Sequence, residues 1–119
     1  MKRYITNKER VKLAKLLRKT AREHKCTLWR HVADRLEAST RQRLAVNLSR
    51  INRYTDGNDV AVVAGKALSE GEISHPVTVA AFAFSQRVRD KILKAGGRCV
   101  TLEELLAENP SGSNVRLIG

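Results

Sequence analysis

Two stretches of this chain are apolar almost from end to end, and they restrict its fold more than any other feature. Val60-Ala61-Val62-Val63-Ala64 and Val77-Thr78-Val79-Ala80-Ala81-Phe82-Ala83-Phe84 lack the apolar–polar alternation of a strand with one wet face. Runs of this kind belong to strands covered on both sides, as in parallel sheets flanked by helices. Helical patterns do follow. Ala45-Val46-Asn47-Leu48 meets Ser49 and then Arg50-Ile51-Asn52-Arg53. Val77–Phe84 meets Ser85 and a helical pattern to about Ala95. Cys99-Val100 meets Thr101 and then Leu102 to about Glu108. A hydroxyl residue stands at each expected N-cap, and Thr101 with Glu104 forms a capping box. The pattern predicts an α/β fold built from loosely repeated strand-plus-helix units around a mostly parallel or mixed sheet. Gly96-Gly97 ends the second of these helices. Asn109-Pro110-Ser111-Gly112-Ser113 is a turn, and Val115-Arg116-Leu117-Ile118 is a last strand tied into the sheet.

The chain ahead of this pattern is helical and basic. Thr6 and Glu9 form a capping box opening a helix of about Asn7 to His24. Leu13, Ala14, Leu17 and Ala21 mark its buried side. Lys8, Lys12, Lys15, Lys19 and Arg22 fall on the opposite face, at gaps of four and three. Thr27 is placed to cap a second helix of about Leu28 to Glu37, with Leu28, Trp29, Val32, Ala33 and Leu36 inward. Trp29 shares its face with aliphatics and reads as core, not as a base-stacking ring. The polar, basic stretch Ala38–Arg43 marks the expected boundary. It separates a basic helical portion, residues 1–43, from an α/β domain, residues 44–119.

Charge divides at nearly the same place. The chain has 23 Lys and Arg against 12 Asp and Glu, a net +11. Residues 1–54 hold 16 of the cations and 4 of the anions; residues 55–119 hold 7 and 8. A protein this basic has a polyanionic partner, and nucleic acid is the commonest. The candidate contacts are Lys2, Arg3, Lys8, Lys12, Lys15, Arg18, Lys19, Arg22, Lys25, Arg30, Arg35, Arg41, Arg43, Arg50, Arg53 and Lys66. Arg87, Lys91 and Lys94 form a smaller second basic face. The aromatic residues are few: Tyr4, Trp29, Tyr54, Phe82 and Phe84. Recognition is therefore expected to rest on phosphate, ribose and RNA shape more than on stacking.

Other chemistry finds little support. His24, His31 and His75 share no metal-ligand spacing with each other or with a cysteine. Cys26 and Cys99 form no CxxC and read as reduced thiols of a cytosolic protein. There is no nucleophile elbow and no phosphate-binding loop; Gly65-Lys66 has only a superficial likeness to one. No catalytic residue, metal or cofactor is expected, and no small-molecule substrate. No apolar run is long enough for a membrane span, and the N-terminus has no apolar core of a secretory signal. No zinc finger or basic zipper is present. The first two helices do not fit a helix-turn-helix, because the basic stripe is on the first.

Several segments, taken in order, resemble a known family. They are Val46-Asn47-Leu48-Ser49-Arg50-Ile51, Gly65-Lys66-Ala67-Leu68-Ser69-Glu70-Gly71, Val77-Thr78-Val79-Ala80-Ala81, Phe84-Ser85, Ala95-Gly96-Gly97 and Asn109 to Ile118. Together they resemble the archaeal and eukaryotic large-subunit ribosomal family called L-eighteen-e, a relative of bacterial L-fifteen. Ser69 departs from it, standing where the family pattern has glycine. The resemblance implies an irregular superhelix of strand–strand–helix units. It also implies a structural role without catalysis: binding folded large-subunit ribosomal RNA beside neighbouring ribosomal proteins, in the cytoplasmic ribosome. The residues taken alone also fit an RNA-processing or modification factor, or an archaeal chromatin-type DNA binder.

Overall fold

The two apolar runs lie side by side. The computed structural model describes residues 8–37, 45–112 and 114–118. Its elements are, in order, α1 (Lys8–Glu23), α2 (Thr27–Leu36), β1 (Ala45–Asn47), α3 (Leu48–Tyr54) and β2 (Asp59–Leu68). Then come β3 (Val77–Phe84), α4 (Val88–Lys94), β4 (Arg98–Thr101), α5 (Leu102–Glu108) and β5 (Val115–Ile118). β2 and β3 pair in parallel from Asp59 opposite Val77 to Ala67 opposite Phe84, with a bulge between Val63 and Lys66. β4 continues the sheet beyond β3, also in parallel. The other edge of β2 is shared. β5 lies along Val60–Val63 and β1 along Lys66–Leu68, both parallel to it. The fold is thus α/β with a five-stranded parallel sheet. Of the described units, β2–β3–α4 has strand–strand–helix form, while β1–α3 and β4–α5 are strand–helix.

Helices cover both faces, as all-apolar strands require. On one face Val62, Ala64, Ala80 and Val100 pack with α1, α2 and α5 through Leu13, Leu17, Trp29, Val32, Leu36 and Leu105. On the other, Ala61, Val63, Val79 and Ala81 pack with α3 and α4 through Leu48, Ile51, Val88 and Ile92. Adjacent residues of one strand feed opposite cores, the alternation inherent in an extended chain. Trp29 is fully buried, and its indole Nε1 donates to the Pro110 carbonyl at 2.8 Å, tying α2 to the turn after α5. The helices at the N-terminus therefore share a core with the sheet. The stretch expected to separate them from it, Ala38–Arg43, lies outside the described residues.

Several local expectations change. Gly65-Lys66, with its superficial likeness to a phosphate-binding loop, lies with Ala67 and Leu68 in a strand; the glycine sits at the bulge, where a strand glycine is commonly found. Of the three hydroxyl caps, Thr101 holds. Its Oγ1 accepts from Glu104 N at 3.0 Å, and Glu104 Oε1 accepts from Thr101 N at 2.8 Å. Ser49 lies inside α3, with Asn47 at the cap; its N–H donates instead to the Glu70 carbonyl at 3.2 Å. Ser85 precedes α4 by a turn, because its N–H is held by the Ala67 carbonyl at 2.9 Å, which prolongs the strand pairing. Thr27 is the first residue of α2, and Cys26 occupies the cap position. The Thr6 half of the first capping box lies outside the described residues. Gly96, at φ +87°, does end α4, and Gly97 N donates back to the Ile92 carbonyl at 3.0 Å.

A parallel pair ordinarily needs a long helical crossover. Between β2 and β3 there are only residues 69–76. Spanning a ten-residue strand of roughly 30 Å, they must run nearly extended. Side chains hold them down between α3 and α4. Ile73 is buried in that core, and Asn52 Oδ1 accepts from Ser74 N at 3.0 Å and from Ser74 Oγ at 3.1 Å. Lys91 Nζ donates to the carbonyls of Ser69 at 2.8 Å and Gly71 at 2.9 Å. Lys91 therefore does not belong to an outward basic face; it anchors the crossover. Gly71 has φ +96°, and a Cβ there would lie 2.5 Å from Ser49 Cβ. Gly71→Ala is expected to cost at least ~2 kcal/mol, since strain at a left-handed position adds to a clash against α3. A denaturant melt measures it, and a change within ~0.5 kcal/mol would show that the crossover can shift aside.

Candidate nucleic-acid interface

The basic surface begins with the amphipathy of α1. Its sixteen residues are mostly strong helix formers, and its apolar side is committed to the sheet through Leu13, Ala14, Leu17 and Ala21. Rotation about the helix axis is thereby fixed. Lys8, Lys12, Lys15, Lys19 and Arg22 all emerge exposed on the other side. At 1.5 Å per residue the row is about 21 Å long. Glu9 in the first turn and Arg22 in the last agree with the helix dipole.

The row runs into a cleft at the α1–α2 corner. Arg18, Ala21, Arg22, Lys25, Thr27 and Arg30 line a cavity of about 490 Å³. Lys25 turns the chain there with φ 51°. Arg18 differs from its neighbours. It donates to Asp34 Oδ1 at 3.0 Å and pairs with Glu37, both on the α2 side. These carboxylates, Asp34 foremost, raise its pKa further and use much of its charge in fastening α1 to α2. Arg22, Lys25 and Arg30 are exposed around it. Arg35 is exposed on α2. A second cleft, about 550 Å³ between α1 and α5, is lined by Glu9 and Glu103 as well as Lys12, and so suits a polyanion less.

The sixteen candidate residues do not form one patch. Lys2, Arg3, Arg41 and Arg43 lie outside the described residues. Arg50 and Arg53 are exposed on α3, and α3 is packed on the opposite face of the sheet from α1. Lys66 is exposed on β2 beside Ala45 of β1. The α3 surface also holds a residue that the charge pattern did not single out. Tyr54 is 51% exposed, with the Arg50 guanidinium 5.5 Å from its ring centroid. The signal was the Arg50-x-x-x-Tyr54 spacing, which puts both on one side of a helix. On α4, Arg89 lies over the Phe84 ring at 4.9 Å, and Arg87 and Lys94 are exposed.

The remaining reactive side chains have structural surroundings. Cys26 and Cys99 are free thiols. Burial pushes the Cys99 thiol up, against a smaller pull from Arg89. Thr55 Oγ1 donates to the Ile51 carbonyl at 2.7 Å and lies 2.8 Å from His75 Nε2. Because that hydroxyl has one proton, already used, His75 is the donor to it. Among the described residues no three His, Cys, Asp or Glu side chains group as metal ligands, and no helix is long and apolar enough to cross a membrane.

The sequence profile described as ribosomal protein 60S L18 and 50S L18e matches residues 3–119. The chain belongs to the L18/L18e family. Large ribosomal subunit protein eL18 of Methanothermobacter thermautotrophicus is 45% identical over 113 residues, covering 95% of this chain and 93% of the relative. The eL18 proteins of Methanoregula boonei and Archaeoglobus fulgidus are each 42% identical over 113 residues. They cover 95% of this chain, and 93% and 97% of the relatives. L18/L18e proteins are structural components of the large ribosomal subunit and not enzymes. For this chain, that membership favours the ribosomal expectation over the chromatin one.

Proposed function

We propose that this L18/L18e protein binds and stabilises folded ribosomal RNA in the large subunit of the cytoplasmic ribosome, beside neighbouring ribosomal proteins. The main contact is the α1 row with the cleft at the α1–α2 corner. One observation carries the reading. Five cations stand exposed along about 21 Å of a helix whose rotation is fixed by its buried side. Like charges held so close repel one another until phosphates neutralise them and counterions are released. Lys8, Lys12, Lys15, Lys19 and Arg22 follow the backbone of one RNA segment. Arg22, Lys25 and Arg30 surround a phosphate at its end. Arg35 and the basic residues outside the described segments, Lys2, Arg3, Arg41 and Arg43, add to the same polyanion contact, while Lys66, exposed on β2, is a separate cation. No base-specific reading is needed, since shape and phosphate positions suffice for one permanently held RNA.

Co-sedimentation tests this. The protein is expected in stoichiometric amount on large subunits and retained through a moderate salt wash. Substoichiometric association lost in the wash would instead fit an RNA-processing or modification factor.

A further inference from the structure

The α3 surface is the least explained part of the molecule. Arg50 and Arg53 stand exposed on a seven-residue helix, and Tyr54 closes it with half its surface in solvent. Two clefts meet at Arg50. One, about 390 Å³, is lined by Arg50, Tyr54, Arg116 and Leu117; the other, about 310 Å³, by Asn47, Ser49, Arg50 and Arg53. Arg116 is occupied by Asp59 at 2.9 Å, which leaves Arg50 and Arg53 as the charge facing outward.

A large exposed ring beside guanidinium groups is poor design for a surface that only needs to stay hydrated. It is the arrangement that holds an unpaired nucleotide: a face to stack on, with cations for the flanking phosphates. The α1 row offers no exposed aromatic side chain among the described residues, so the two surfaces differ in kind as well as in place.

Their separation is set by the sheet. α1 packs on one face and α3 on the other, with the strands between. Successive layers are about 10 Å apart, so the outer surfaces of the two helices are more than ~20 Å apart and point away from each other. An RNA helix laid along α1 therefore lies across the sheet from the helix that carries Tyr54.

We propose that the α3 surface is a second RNA site, taking an unpaired strand with one base stacked on Tyr54 between Arg50 and Arg53, so that the protein joins two separate RNA segments. This rests on the RNA-binding reading of α1 only for the joining; the strand site stands or falls on Tyr54.

The test uses the full chain and two labelled probes. One is a blunt RNA duplex of about 16 base pairs. The other is an unpaired RNA of about eight nucleotides. Energy transfer between them is expected only when protein is present. Tyr54→Ala should weaken the strand by roughly tenfold, and Tyr54→Phe, which keeps the ring, by no more than about twofold. Neither should change duplex binding. Arg50→Gln with Arg53→Gln should weaken the strand but not the duplex. Displacement of duplex by strand would overturn the proposal, as would equal strand affinity of Tyr54→Ala and the parent, or equal losses in the Ala and Phe variants. The duplex arm separates the two readings. Failure of the duplex to bind would count against the α1 contact, while the Tyr54 pair would still decide the strand site.

Discussion

A chain shortened to residues 44–119 is expected to give no cooperative thermal melt, although it retains all five strands of the described residues and the three strand-to-helix steps. The loss is in the core. Leu13, Leu17, Trp29, Val32 and Leu36 are all at most 6% exposed, and they cover the face of the sheet formed by Val62, Ala64, Ala80 and Val100 together with α5. Burying such a side chain is worth about 1.5–3 kcal/mol, so five of them contribute on the order of 10 kcal/mol. That is comparable to the whole stability of a domain, about 5–15 kcal/mol. The remaining sheet would also be left with an apolar face in water, an aggregation hazard. Trp29 adds a hydrogen bond to the Pro110 carbonyl that the fragment cannot make. Circular dichroism and thermal melting of the fragment measure this. A sharp, reversible melt would show that residues 44–119 close their own core, and that residues 1–43 are a separable extension as the polar, basic stretch Ala38–Arg43 implies. The expected failure would make that boundary one of composition alone.

The sequence is most informative where a local cause is sufficient. Val60–Ala64 and Val77–Phe84 declare strands buried on both sides because no polar residue breaks their run. The α1 periodicity declares its buried and exposed sides because both are written at helical spacing. Thr101 and Glu104 form their cap because each satisfies the other's backbone within four residues. Expectations change where a distant group intervenes. Ser49 is displaced from a cap because Glu70, in the crossover, takes its N–H. Ser85 is displaced because Ala67 of the neighbouring strand holds it in the sheet. Lys91 has the spacing of a surface cation, yet two carbonyls of the extended crossover claim it. Gly65 with Lys66 has a superficial likeness to a phosphate-binding loop in one dimension and is a bulge in a long strand. For the candidate site the division is similar. Lys8 to Arg22 is legible as one face of one helix. That Arg50 and Arg53 stand behind the sheet from it is not, because the side on which α3 packs is a property of topology. Tyr54 was visible only as a ring four residues after an arginine.

Replacing Lys12, Lys15 and Lys19 together with Gln is expected to weaken RNA binding by orders of magnitude at low salt and to flatten its salt dependence. Each of the three side chains is exposed and none has an ion-pair partner among the described residues. Glutamine is nearly as good a helix former as lysine, so α1 should persist. Removing three of five like charges from one row also relieves repulsion along the helix. Stability should therefore change little, within ~0.5 kcal/mol, or rise slightly. The binding effect is different in kind. If each lysine meets one phosphate, log affinity against log salt should lose about 0.7–0.9 of slope per lysine, or roughly two to three units for the triple variant. The affinity deficit should then be large in dilute buffer and shrink as salt rises, since the parent loses its electrostatic advantage while the variant had little to lose. Arg18→Gln provides the contrast. Its guanidinium already pairs with Asp34 and Glu37, so its loss should loosen the α1–α2 corner and lower the melting temperature. The salt slope should change less per residue than at Lys12, Lys15 or Lys19. Filter binding across a salt series, with melts of each variant, reads both quantities. A triple variant with the parent's salt slope would mean that the row faces water in the complex and that the RNA lies elsewhere on the protein.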